Sequence, residues 1–324
     1  MSISMSKCIA ASLPAMLLLA TATQAAASEI DRLQDAWQST IIKTPVPKEG
    51  CFTASYPVAA WKPVACTVAP KIPFVPRSGG GQKRGVGLTV GDGNDYSAVV
   101  NGLISTTVGT FPLTTGLKTE TGDGQANSYS LQINSQFFAS PTCSGASDPA
   151  SCLGWEQFVY FPGYGVFMQY WLINYVNKCP KGWYTYGSDC YTNSAGVSAP
   201  SEPIKKLKTL KLSGNAVANG IDTLTFSTKT KAYSTTGKDS VMDLAAYWNA
   251  SEWNIFGPGG GSEAVFNKGT TLTVNIALTD SLTTAPTCQA DDGTTGETNN
   301  LTLGTCTTSG GATPSAQFTE SIAK

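Results

Sequence analysis

The stretch Val166-Phe167-Met168-Gln169-Tyr170-Trp171-Leu172-Ile173-Asn174-Tyr175 reads as a β-strand, because aromatic and β-branched residues dominate it and turn formers bound it. Side chains alternate along a strand, so Phe167, Gln169, Trp171, Ile173 and Tyr175 share one face. A lone amide among rings has two readings: a hydrogen-bonded packing residue, or a member of a binding or reacting site. What else in the chain can act with Gln169 decides between them.

Outward from this strand the signals stay β. Residues 129–138, 155–161, 207–212, 223–228 and 270–278 alternate or run apolar, and Gly, Asn, Asp, Ser and Thr clusters separate them. There is no βαβ rhythm, and only 240–248 is briefly helical in pattern. Short strands at this spacing predict an all-β domain over 85–324, a two-sheet antiparallel sandwich of jelly-roll or concanavalin-like type. Before it, residues 28–45 place Ile30, Leu33, Trp37 and Ile41 roughly in helical phase. A proline-rich segment follows, then Ser78 to Arg84 as a linker ending in the basic pair Lys83-Arg84. Residues 28–84 are either an extension packed on the domain or a propeptide removed near that pair.

Composition excludes much chemistry. The 324-residue chain contains no histidine, which removes imidazole acid–base mechanisms, Ser-His-Asp and Cys-His sites and HExxH zinc sites. A reacting site here must use carboxylates, amides, hydroxyls, Tyr or Lys. Charged residues make up 13% with a formal net charge of -1 and no basic block, so nucleic acid is not an expected partner.

Lys7, the apolar run 9–20 and Ala25-Ala26-Ala27 form a secretory-signal pattern over 1–27, too short to be read as a membrane anchor. The expectation is an exported, monomeric protein, extracellular or periplasmic. Removing the signal takes Cys8 and leaves Cys51, Cys66, Cys143, Cys152, Cys179, Cys190, Cys288 and Cys306. An even number in an exported chain favours disulfides, and sequence neighbours pair naturally as 51–66, 143–152, 179–190 and 288–306. That pairing is one of many that eight cysteines allow. No CxxC spacing supports a metal site.

Two more segments bear on Gln169. Along 129–138, Ser130, Gln132, Asn134 and Gln136 project together, either as the wet face of a sheet or as the lining of a groove. In Ala250-Ser251-Glu252-Trp253-Asn254-Ile255-Phe256, Glu252 shares a face with Asn254 and Phe256. Partial desolvation would make Glu252 a competent acid or base at low pH. Gly257-Pro258-Gly259-Gly260-Gly261-Ser262 lacks the lysine and following helix of a phosphate loop and reads as a loop between strands.

Together these segments resemble the glutamic peptidases, or eqolisins. The resemblance rests on Gly154-Trp155, Phe167-Met168-Gln169, Gly182-Trp183-Tyr184 and Asn249-Ala250-Ser251-Glu252-Trp253, with Trp155 lying 14 positions before Gln169 and Glu252 lying 83 after it. It covers about residues 150–275. The chain departs from the pattern in the extra Ser251, in Val159 near the place of an acidic residue, and in Thr185 after Tyr184.

The resemblance implies a two-sheet sandwich acting as a cofactor-free acid endopeptidase on polypeptides. Glu252 would be its general base, Gln169 would position water and oxyanion, and Trp155, Trp171, Gln132 and Asn134 would line the substrate groove. A lectin-like module is the alternative, binding polysaccharide or peptide, with Trp155, Trp171, Trp183 and Trp253 as stacking platforms. A purely structural protein is a third reading.

Overall fold

The computed structural model describes residues 15–77, 96–290 and 295–323, with side chains from residue 28. Among these, two antiparallel sheets pack face to face. The nine-stranded sheet runs Val58–Val64, Cys51–Ser55, Lys231–Lys238, Ile221–Ser227, Lys211–Asn215, Ile104–Thr115, Thr271–Asp280, Ser315–Ser321 and Thr302–Ser309. The eight-stranded sheet runs Tyr184–Tyr186, Asp189–Asn193, Gly165–Ile173, Leu153–Phe161, Ser130–Ser135, Ala250–Phe256, Tyr96–Val99 and Thr287–Ala290. The sandwich expected from the strand pattern is therefore present.

The opening stretch is the strand Gly165–Ile173, buried on both faces. It turns back through Pro162-Gly163-Tyr164 onto Leu153–Phe161, with Phe161 opposite Gly165, Gln157 opposite Gln169 and Trp155 opposite Trp171. Gly163 and Gly165 both have positive φ, which suits the tight return. The inner faces of the two sheets make the main core. Tyr160 stacks on Phe226 at 3.8 Å between centroids, and Trp253 meets Phe111 at 5.1 Å. Gly109 lets that indole in, because a Cβ there would lie 2.0 Å from Trp253 Cδ2.

Residues before the sandwich are part of it. Cys51–Ser55 pairs with Lys231–Lys238 and Val58–Val64 with Cys51–Ser55, adding two strands at one edge of the larger sheet. The helix Ala15–Ile41 ends before Pro45 and Pro47. Its packing face is shorter than the periodicity predicted. Trp37 and Ile41 are buried against Ala54 and Ala232, whereas Ile30 and Leu33 are exposed. Among the described residues, no helix is long and apolar enough to cross a membrane. The signal pattern lies in the residues 1–27 whose side chains are outside the description, and Lys83-Arg84 is also outside it.

Four disulfides form in the neighbour pairing: 51–66, 143–152, 179–190 and 288–306. The last joins Thr287–Ala290 of one sheet to Thr302–Ser309 of the other. Two segments differ from their sequence readings. Residues 204–209 form a 3-10 helix, so the strand begins later, at Lys211. The helical pattern at 240–248 becomes two short 3-10 turns.

Candidate functional site

Register places one polar row across the outer face of the eight-stranded sheet. Asn193 pairs with Gln169, Gln169 with Gln157, Gln157 with Asn134, and Asn134 with Glu252. Directly paired residues of neighbouring strands project from the same face, so these five side chains form a line perpendicular to the strands. All except partly buried Asn193 are wholly buried. Gln169 and Glu252 therefore share a row, with two strands between them and their backbones roughly 14 Å apart along a flat sheet.

Hydrogen bonds connect the row. Trp171 Nε1 donates to both Gln169 Oε1 at 3.0 Å and Gln157 Oε1 at 3.1 Å. Gln157 Nε2 and Asn134 Nδ2 both donate to Gln132 Oε1, at 3.0 and 3.2 Å. Asn134 Nδ2 also donates to Glu252 Oε2 at 2.8 Å, and Thr295 Oγ1 lies 2.5 Å from the same oxygen. Asn254 does not join the row. Its amide donates to Glu320 of the nine-stranded sheet at 3.1 Å.

A length of main chain lies over this face. Asn193 Nδ2 donates to Pro70 O at 2.8 Å, and the Tyr191 hydroxyl to Lys71 O at 3.2 Å. Gln169 Nε2 donates to Ile72 O at 3.0 Å, and Gly260 N to Pro73 O at 2.7 Å. Phe74 N donates to Gln169 Oε1 at 2.7 Å, Val75 N to Glu297 Oε1 at 2.9 Å, and Gly296 N to Val75 O at 2.8 Å. Every residue from 70 to 75 is thus bonded through its main chain. With Asn193 Oδ1 accepting at 2.8 Å, the Gln169 amide has both donor and both acceptor positions filled.

The side chains of this segment enter two apolar pockets. Phe74 sits against Phe161 and Phe167, with centroids at 5.7 and 6.0 Å, and near Val159. Val75 packs with Trp155, Trp171 and Phe137. Trp155 and Trp171 therefore line the covered groove with no exposed surface, and Trp253 belongs to the core between the sheets. Three of the four rings suggested as stacking platforms are closed off in this state; Trp183 is partly buried.

Gln132 and Asn134 lie within the network rather than on a wet face. Gln136 leaves it to bind the backbone of Tyr247 and Ala250. The glycine-rich loop borders the groove. Gly260 binds Pro73, and Gly259, at φ +111°, lies where a Cβ would be 2.6 Å from Ile72.

Sequence reasoning missed Gln157, Asn193, Thr295 and Glu297. Gln157 had a readable signal: Trp155-x-Gln157 and Gln169-x-Trp171 mirror each other about Gly163, as a hairpin requires. Glu297 had none, since it lies in a Gly/Thr/Asn-rich stretch that reads as loop. It is wholly buried, and burial raises its carboxyl to about 7 despite the N–H groups of Gly261 and Val75 that pull the other way. A row of amides ending in a carboxyl group, with a second carboxyl beside it, can hold an extended main chain, polarise a carbonyl and exchange protons through its carboxyls. Among the described residues, no cluster of His, Cys, Asp or Glu is suited to a metal ion. A separate cavity of about 710 Å³ on the outer face of the nine-stranded sheet is lined by Thr106, Ser213, Thr223 and Thr225 and has no carboxylate.

No family model and no curated protein matches the chain. Among solved structures, it is similar to scytalido-glutamic peptidase with a peptide-based transition state analog, at TM-score 0.30 and 9% identity, over 71% of this chain and 100% of that one. It is also similar to SCP-B, a member of the eqolisin family solved in a complex with the tripeptide Ala-Ile-His, at TM-score 0.27, 11% identity and the same coverage. These are weak structural resemblances.

Proposed function

We propose that the protein is an exported acid endopeptidase of glutamic-peptidase type, held in a resting state. The observation that carries this reading is the Gln169–Gln157–Asn134–Glu252 row beneath an extended main chain, in a chain without histidine. A peptidase of this kind must grip a polypeptide by its backbone and bring an amide donor and a carboxylate to one carbonyl. The bonds of Gln169 to Ile72 O and Phe74 N, and of Glu297 to Val75 N, support such a grip on a backbone.

With the groove open, Glu252 would take a proton from a water as the water oxygen bonds to the scissile carbonyl carbon. The Gln169 amide would donate to the developing oxyanion. As the C–N bond breaks, Glu252 would return the proton to the leaving nitrogen. This requires Gln169 and Glu252 to reach over the intervening Gln157 and Asn134 side chains to one water once residues 72–74 and Thr295 withdraw from them. Asn134 would orient the carboxylate.

Burial favours the protonated form of Glu297 beside the groove, raised to about 7. The test is hydrolysis of a denatured protein at pH 3–5 by wild type, Glu252→Gln and Gln169→Ala. Loss of at least about 100-fold in each variant is expected. Undiminished activity in both would sink the pair.

A further inference from the structure

We propose that residues 70–76 are a resident peptide ligand of this groove, and that the groove accepts an extended polypeptide carrying an aromatic residue followed by a β-branched aliphatic one. This rests on the reading of the groove as a substrate site and adds its regulation and the side chains it selects.

The argument starts from what the segment covers. An extension that packs only for stability buries apolar surface on apolar surface. Here the covered strip is polar: Asn193, Gln169 and Glu297 bond main-chain atoms of Pro70, Ile72, Phe74 and Val75, while the Tyr191 hydroxyl and the N–H groups of Gly260 and Gly296 hold the carbonyls of Lys71, Pro73 and Val75. Main-chain bonds of this kind hold an extended peptide whatever its sequence, and flanking pockets select its side chains. Phe74 and Val75 fill pockets on opposite sides of the row. A substrate in the same path would present its own residues there.

The segment's sequence fits a resident better than a substrate. Pro70, Pro73 and Pro76 pre-set an extended backbone and lower the entropy lost on binding. The carbonyl that Gln169 donates to is Ile72 O, which precedes Pro73. The bond offered at that amide is thus a tertiary one, not an ordinary secondary peptide bond. While the segment stays, the Gln169 amide has no capacity left for water or an incoming carbonyl.

The full-length chain carrying Phe74→Asp tests this, with Phe74→Ala as a second variant. The probe is a synthetic peptide of residues 69–77, Ala-Pro-Lys-Ile-Pro-Phe-Val-Pro-Arg, titrated at pH 4 with Trp fluorescence as readout. The variants should bind it saturably and at least ten times more tightly than wild type. Adding Gln169→Ala, or replacing the peptide's Phe by Asp, should weaken binding at least tenfold. Amide exchange over 70–76 should accelerate at least tenfold while Gly165–Ile173 keeps its protection.

Loosening of the segment without peptide binding, equal binding by wild type, or failure of both variants to fold would overturn the proposal. The last outcome would make the segment a structural part of the core. Peptide binding by the variants with no hydrolysis at pH 3–5 would uphold the ligand assignment and sink the peptidase reading. Hydrolysis at equal rates by wild type and loosened variants would do the reverse.

Discussion

Asn134 and Glu252 are register partners on adjacent strands, and the Asn134 amide donates to the Glu252 carboxyl at 2.8 Å inside a fully buried row. Asn134→Asp keeps the shape and replaces a donor by a second acid. Two adjacent buried carboxyls cannot both ionise cheaply. The variant should lose about 2–4 kcal/mol at pH 7 and less than about 1 kcal/mol at pH 3, where protonation of the introduced Asp relieves the repulsion. Urea unfolding at the two pH values measures the difference, and an equal loss at both would refute it.

Stability should be greatest in acid. Burial raises Glu120 and Asp222 to about 8 and Glu297 and Glu320 to about 7. It also raises Glu156, helped by the nearby Asp222 and Asp239. Each group is raised above its unfolded value near 4, so its contribution is complete below about pH 4 and is lost as pH climbs through its folded value, 7–8 for Glu120, Asp222, Glu297 and Glu320. The slope reaches up to about 1.4 kcal/mol per pH unit for each group. Thermal unfolding should give a higher Tm at pH 4 than at pH 8. A Tm that rises toward pH 8 would exclude protonated buried carboxyls.

Trp171→Phe removes the indole N–H shared by Gln157 and Gln169 but keeps most of the ring. One buried acceptor left short of its donor costs about 1–3 kcal/mol. Because neither indole nor amide titrates, the loss should be the same at pH 3 and pH 7, unlike that of Asn134→Asp. Exchange of the Phe74 amide should quicken, since its acceptor Gln169 is then less fixed.

Gly109→Ala tests the packing of the two sheets. The added Cβ would meet Trp253 at 2.0 Å, and neither the strand nor the fully buried indole has room to retreat. A loss of about 3 kcal/mol or more is expected, with a changed near-ultraviolet spectrum from displaced Trp253. Wild-type stability would mean the sheets are less tightly apposed there.

The sandwich was legible because the aromatic and β-branched runs in Gly165–Ile173, Leu153–Phe161 and Ala250–Phe256, bounded by turn formers, encode buried strands. The cysteine pairing was legible because each bridge closes a short loop. The strand Lys231–Lys238 and the C-terminal strands were not, since Thr, Ser, Gly and Lys make them resemble loops until neighbours supply the ladder. Gln169 and Glu252 could be singled out by residue type, yet their shared row depends on the register of two intervening strands. Thr295, Glu297 and the covering segment 70–76 reach the groove through contacts distant in sequence, which periodicity does not carry.

The pairing of Cys51–Ser55 with Lys231–Lys238 has a further consequence. Residues 70–76 are tethered close to an edge of the sandwich, so the groove meets them at a high effective concentration, on the order of millimolar for short tethers. A cut C-terminal to the segment would not by itself dilute it, because the edge strands would still hold its upstream end. Opening the groove would require peeling that edge, or a competing peptide abundant enough to win against a neighbour that never diffuses away.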